Sequence, residues 1–163
     1  MSTPCIVLQP KGTIRQTTIA GLNIADVAKV LRRAQHPTKV GEWIVEEIYQ
    51  GKRAENGIQK YWDVDCSLGK IQVKTHAKGD KTSARWSNIK KIETKEIDHV
   101  VIIVFNKNYE LQEFYNAPWA HVFSNIRQHK DTDRIFWDNL KDYKIPINEL
   151  KQHKSLEIFL KHE

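Results

Sequence analysis

Two cysteines, Cys5 and Cys66, and a single methionine are all the sulfur that this chain of 163 residues carries. The thiols lie far apart and outside any Cys-x-x-Cys spacing, which argues against a disulfide framework and against a zinc site, and fits reduced thiols. Glycine and proline are also sparse, at 7 and 5 residues, and neither an internal repeat nor a low-complexity tract is visible. No apolar run approaches the roughly 20 residues that span a bilayer, and no basic segment with an apolar stretch behind it opens the sequence. These absences predict an intracellular, soluble protein, placed in the cytoplasm.

What is present is an ordinary globular composition with one bias. Hydrophobic residues make up 40% and charged residues 28%, yet the formal net charge is +6 and the isoelectric point about 9.3. A basic surplus of this kind suggests a polyanionic partner, without identifying it. The length predicts one domain over residues 1–163, large enough to bury a core without metal or disulfide staples.

Along the chain, two short β-like runs within residues 5–20 flank Pro10-Lys11-Gly12 and read as an N-terminal hairpin, an appendage over residues 1–22. A helical spacing follows over 24–35, with Asn23 as cap and Pro37 as its stop. A second helix is expected from Gly41-Glu42, with Ile44, Val45, Ile48 and Tyr49 turned inward, until Gly51 ends it. Val100 to Phe105 is apolar at every position and reads as a central strand covered on both faces, and Tyr109 to Tyr115 reads as its neighbour. The last third reads as helices around 119–128, 135–142 and 147–160, two of them starting near Pro118 and Pro146, with 129–163 as a C-terminal helical segment. The fold class is therefore α/β (α+β), with a core over about 24–128 and a mixed sheet of four to five strands flanked by helices.

Between these elements lies the segment with chemistry in it. Tyr61-Trp62-Asp63-Val64-Asp65 and Ile71-Gln72-Val73-Lys74-Thr75 are β-patterned runs joined by Ser67-Leu68-Gly69-Lys70, where Gly69 can take a positive φ, so an antiparallel hairpin is expected. Alternation puts Asp63 and Asp65 on one face, and Gln72 and Lys74 on one face with Ile71, Val73 and Thr75 opposite. A hard cation such as Mg²⁺ takes oxygen ligands and retains several waters, so Asp63, the Gln72 amide oxygen and the Val73 carbonyl form a sufficient set when a phosphate completes it. The Lys74 ammonium, on the Gln72 face, is placed to orient a water or to meet charge growing on a phosphoryl group.

At these residues the sequence resembles the PD-(D/E)XK nuclease superfamily, whose restriction-endonuclease-like core carries an acid on one strand and an acid-x-lysine triplet on the next. The resemblance spans about residues 41–115. It implies that Asp63 is the first acid, Gln72-Val73-Lys74 the triplet, and Glu42 the additional acid from the preceding helix; Gln72 stands where an acid is usual, which removes one negative charge from the set. Asp65 is the alternative first acid, Glu46 lies one turn beyond Glu42 and can approach the same place, and His76 is a general base, a phosphate contact or an exposed histidine.

The polar stretch 78–91 follows the triplet directly, which places Lys78, Lys81, Arg85, Trp86 and Lys90 beside DNA if DNA is bound; a solvated loop is the plainer alternative. The function implied by the resemblance is a Mg²⁺-dependent DNA endonuclease, with Mn²⁺ as the alternative ion, acting on double-stranded DNA. Its leading form is a type II restriction endonuclease working as a homodimer. A structure-selective repair nuclease or Holliday junction resolvase is the alternative within enzymes, and a non-catalytic nucleic-acid-binding module with a degenerate metal site is the alternative of another class.

Overall fold

A computed structural model describes residues 37–55, 61–77 and 84–160. In chain order these form α1 (Pro37–Tyr49), β1 (Lys52–Arg53), β2 (Val64–Cys66), β3 (Gly69–Ala77), β4 (Trp86–Asn88), β5 (His99–Phe105), β6 (Leu111–Pro118), α2 (Trp119–Asn125), β7 (Arg127–His129), β8 (Thr132–Phe136) and α3 (Ile147–Leu150), with 3-10 segments at Trp137–Tyr143 and Lys154–Phe159. The expected N-terminal hairpin and the helix over 24–35 lie outside the described residues.

The uninterrupted apolar run of β5 dictates the layering. A strand with no polar face must be covered on both sides, and Val100 to Phe105 are all fully buried. It sits inside a mixed five-stranded sheet of order β1-β2-β3-β5-β6, in which only the β3–β5 pair is parallel. The protein is thus α+β, with five strands in the main sheet. On one face Ile71, Val73, Val101 and Ile103 meet Val40, Ile44 and Val45 of α1 and the C-terminal Leu156 and Phe159. On the other, Val100, Ile102 and Val104 meet Val122, Ile126, Ile135, Trp137 and Leu140.

Helix α1 begins four residues before Gly41-Glu42. Pro37 occupies the first helical position, where a missing N–H costs nothing and the fixed φ favours the helix, so the residue expected to stop one helix starts another. At the other end Gln50 takes φ 52 and Gly51 N donates to Glu46 O at 2.9 Å, the six-to-one closure that satisfies a terminal carbonyl. Gly41 lies against β3 at Thr75, and a Cβ there would collide with the Thr75 hydroxyl. The glycine therefore sets how closely α1 approaches the strand, and with it where Glu42 sits.

The last third departs from the helical reading. Residues 127–136 form a hairpin, and β4, β8 and β7 make a second, three-stranded sheet in the order β4-β8-β7. Its turn is Lys130-Asp131, with Lys130 at φ 54. The sequence carries no glycine or asparagine there to mark a two-residue turn. The spacing of Trp137 and Leu140, both buried, looks helical because a 3-10 segment repeats every three residues. Among the described residues of this third, α-helix is confined to Trp119–Asn125 and Ile147–Leu150, with the second 3-10 segment following at Lys154–Phe159. No helix among the described residues is long and apolar enough to cross a membrane.

Two polar attachments fasten the small sheet to the large one. Ser87, fully buried on β4, accepts the Trp137 indole N–H at 2.9 Å and lies 2.7 Å from His76 Nε2 on β3. Just before β4, Arg85 grips Glu113 of β6 through both terminal nitrogens at 3.0 and 2.9 Å, and its Nε reaches Asp138 at 3.2 Å. Tyr115 OH donates to the same carboxylate at 2.8 Å and Lys144 Nζ at 3.2 Å. The Arg85 bonds first, then those of Tyr115 and Lys144, hold the Glu113 pKa down at about 2 against the opposing effect of burial.

A carboxylate whose pKa is depressed on folding contributes stability above its unfolded pKa and loses it as pH falls through the folded one. Glu113→Gln is therefore expected to lower stability at pH 7 by about 1–3 kcal/mol. Urea melts across pH should show the gap between variant and wild type closing from pH 4.5 down to about 2.

Candidate active site

The β2–β3 hairpin forms with the expected antiparallel register, Val64 opposite Ile71 and Asp65 opposite Lys70. Its turn depends on Gly69, at φ 103 and close enough to Asp98 that any Cβ would strike the carboxylate. Asp98 Oδ2 accepts the Lys70 N–H at 2.8 Å, and the Asp98 N–H donates to Lys70 O at 2.8 Å. The turn is thereby locked to the entry of β5.

Asp63 sits one residue before β2 with its backbone already engaged on both sides. Its N–H donates to Ile71 O and its carbonyl accepts the Ala54 N–H, each at 2.8 Å. The next amide of β3, that of Val73, donates instead to the side chain, reaching Asp63 Oδ2 at 2.7 Å. A carboxylate thus takes the place of a backbone acceptor in the ladder, and this fixes its orientation.

Two further groups bear on that carboxylate. Burial raises the Asp63 pKa, and the negative charge of Glu42 raises it further; the Val73 N–H, then Lys74, then Lys39, act in the opposite direction. Glu42, in the second turn of α1, is 8% exposed, and Lys39 Nζ stands 3.4 Å from its Oε2. Lys74 is itself affected: burial lowers its pKa, and the Asp63 carboxylate opposes this. Gln72 follows Ile71 on β3 and by alternation shares a face with Lys74, and Gln72 Oε1 is buried without a hydrogen-bond donor. An orphaned buried acceptor is unfavourable by about 1–3 kcal/mol, and a cation ligated there would satisfy it.

The structure therefore brings together Asp63, Glu42 and Lys74, with Val73 joined through its N–H and Gln72 on the same face of β3 as Lys74. Two carboxylates with an amide oxygen suit a hard cation. Among the described residues no cluster of three or more His, Cys, Asp or Glu side chains could hold a metal. Lys39 completes the charge set and was not singled out in the sequence, although its spacing of three from Glu42 on a helix is the signal for such a pair.

The other candidates have different occupations. Asp65 is exposed on β2 and is not among the groups that perturb Asp63. Glu46 is turned to Arg53, Oε2 to Nε at 2.6 Å. His76 is half-buried; it lies against the Trp137 ring at 5.1 Å and bonds Ser87. Arg85, expected to face phosphate, is held by Glu113 and Asp138. Trp86 lies under the Arg134 guanidinium, Cζ to centroid 3.9 Å, Lys90 is exposed, and Lys78 and Lys81 lie outside the described residues.

Because burial and Glu42 together disfavour ionised Asp63, its charge is a net cost to the fold. Asp63→Asn keeps an acceptor for the Val73 N–H and removes that charge. In the presence of chelator at pH 7 the variant is expected to melt at the wild-type temperature or a few degrees above it; a marked drop in melting temperature would contradict the arrangement described.

No family model matches the chain, and no curated protein matches it either.

Proposed function

We propose that the protein is a Mg²⁺-dependent DNA endonuclease of PD-(D/E)XK type, built on a restriction-endonuclease-like core and acting as a homodimer in a restriction system. The observation that carries this reading is the meeting of half-buried Asp63, buried Glu42 and desolvated Lys74, with Gln72 Oε1, which lacks a donor, on the strand face of Lys74. Stability explains Asp63, Lys74 and Gln72 poorly, since burial disfavours the charge of the first two and leaves the third unsatisfied.

Glu42, Asp63 and Gln72, with the Val73 carbonyl, are the residues that would hold the cation. When bound, the cation would supply Lewis-acid polarisation of a phosphoryl oxygen and stabilisation of the leaving oxygen. The Val73 N–H holds Asp63 Oδ2, so the carboxylate is oriented before any substrate arrives. Lys74 is the group for the attacking water. Burial favours its neutral amine, which can accept a water proton, while the adjacent Asp63 carboxylate favours the ammonium, which can donate to a non-bridging phosphate oxygen. The two influences oppose each other, so Lys74 can act at the attacking water as an acceptor when neutral or at a phosphate oxygen as a donor when protonated.

Incubation of the protein with supercoiled plasmid and Mg²⁺ tests the reading. Discrete fragments are expected, with Lys74→Ala reducing the cleavage rate by about 10²–10⁴-fold while retaining a gel shift. Smearing, or cutting confined to branched DNA, would point to the structure-selective nuclease. A gel shift without any cleavage by the wild type would point to a binding module, and absence of binding at low salt would contradict the whole reading.

A further inference from the structure

The outer face of the small sheet carries a charge arrangement that the candidate site does not use. Ser87 of β4 and Ile135 of β8 are both fully buried, so alternation turns Trp86, Asn88, Arg134 and Phe136 to the opposite face. The register places Asn88 across from Arg134, and Arg134 across from Arg127. Two arginines directly opposed on an antiparallel pair repel each other. Neither is held in an ion pair among the described residues.

The surroundings do not neutralise the pair. Asp133, the only acid in β8, accepts the Lys91 N–H at 2.7 Å, and by alternation it shares the inner face with Ile135. Asp131 is at the hairpin turn and is ion-paired with neither arginine. Strand β7 is exposed at every residue, and Lys130 and Lys90 add exposed cations at the turn and beyond β4. Arg134 is nonetheless held, its Cζ over the Trp86 ring at 3.9 Å from the centroid and its Nε donating to Thr132 Oγ1 at 3.3 Å. Stacking of this kind leaves the terminal N–H groups of the guanidinium directed outward along its edge.

We propose that this outer face binds the phosphodiester backbone of duplex DNA, with Arg127 and Arg134 gripping a phosphate between them; the identity of the polyanion rests on the nuclease reading. A phosphate has the charge to relieve the repulsion and the oxygen geometry to accept from two guanidinium forks. The bond between His76 of β3 and Ser87 of β4 ties the sheet to the strand that carries Lys74, so DNA held here is held by a body fixed to the candidate site.

The test is fluorescence anisotropy of a labelled random-sequence DNA duplex with the full chain in EDTA, across a salt series. Arg127→Ala is expected to weaken binding about tenfold and to lower the slope of log Kd against log salt by about one. Its melting temperature should equal or exceed that of the wild type, since a like-charge pair is relieved; Arg134→Ala should show the same loss of slope. Wild-type binding with variants of unchanged affinity and slope would overturn the proposal while leaving the nuclease reading intact. A lower melting temperature for Arg127→Ala would assign the pair to stability and overturn it as well. A wild type that fails to bind the duplex at low salt would overturn both.

Discussion

The hydrogen bond from the Val73 amide to Asp63 Oδ2 is the interaction on which the site depends. In its place a regular ladder would run backbone to backbone, and the acid would have no fixed direction. With it, a side chain becomes part of the sheet, one residue outside β2, and its charge is carried into a half-buried place next to Lys74. The energetic opposition is plain: burial raises the pKa of the acid and lowers that of the base, while each moderates the other. Charge is held here against desolvation.

Packing then decides which other charge joins. Helix α1 is drawn onto the sheet by Val40, Ile44 and Val45, and Gly41 lets it approach until it meets Thr75. Glu42 follows directly in the chain, so the depth of a hydrophobic contact sets the position of a carboxylate. On the opposite face, Ser87, Trp137 and His76 seal the second sheet against β3, and Arg85 with Glu113 ties its beginning to β6. The histidine and the arginine that looked chemical in the sequence are, in the fold, fastenings.

The parts legible in the sequence were those written in short-range pattern. The continuous apolar run of β5 marked the centre of the sheet, and alternation with Gly69 marked the hairpin and the faces of Gln72 and Lys74. Glu42 was reached through the family resemblance, and its placement beside Asp63 required α1 to be docked. What pattern could not show were features set by partners distant in the chain. The hairpin of β7 and β8 turns at Lys130-Asp131 without a glycine, and period-three burial at Trp137 and Leu140 imitates an α-helix. The partners of Arg85 are 28 and 53 residues away, so nothing local distinguished it from the exposed cations around it. Arg127 and Arg134 become neighbours only once that unmarked turn is known.

The central claim is that Glu42, Asp63 and Gln72 make one cation site in which an amide replaces an acid. Calorimetric titration of Mn²⁺ into the full chain, its Gln72→Glu variant and its Gln72→Leu variant addresses it most directly. Restoring the carboxylate should tighten binding by about tenfold or more, and removing the oxygen should weaken it to a similar degree, because ligand charge and number set the affinity of hard cations. Equal affinity in all three proteins, or no binding to any of them, would contradict the account.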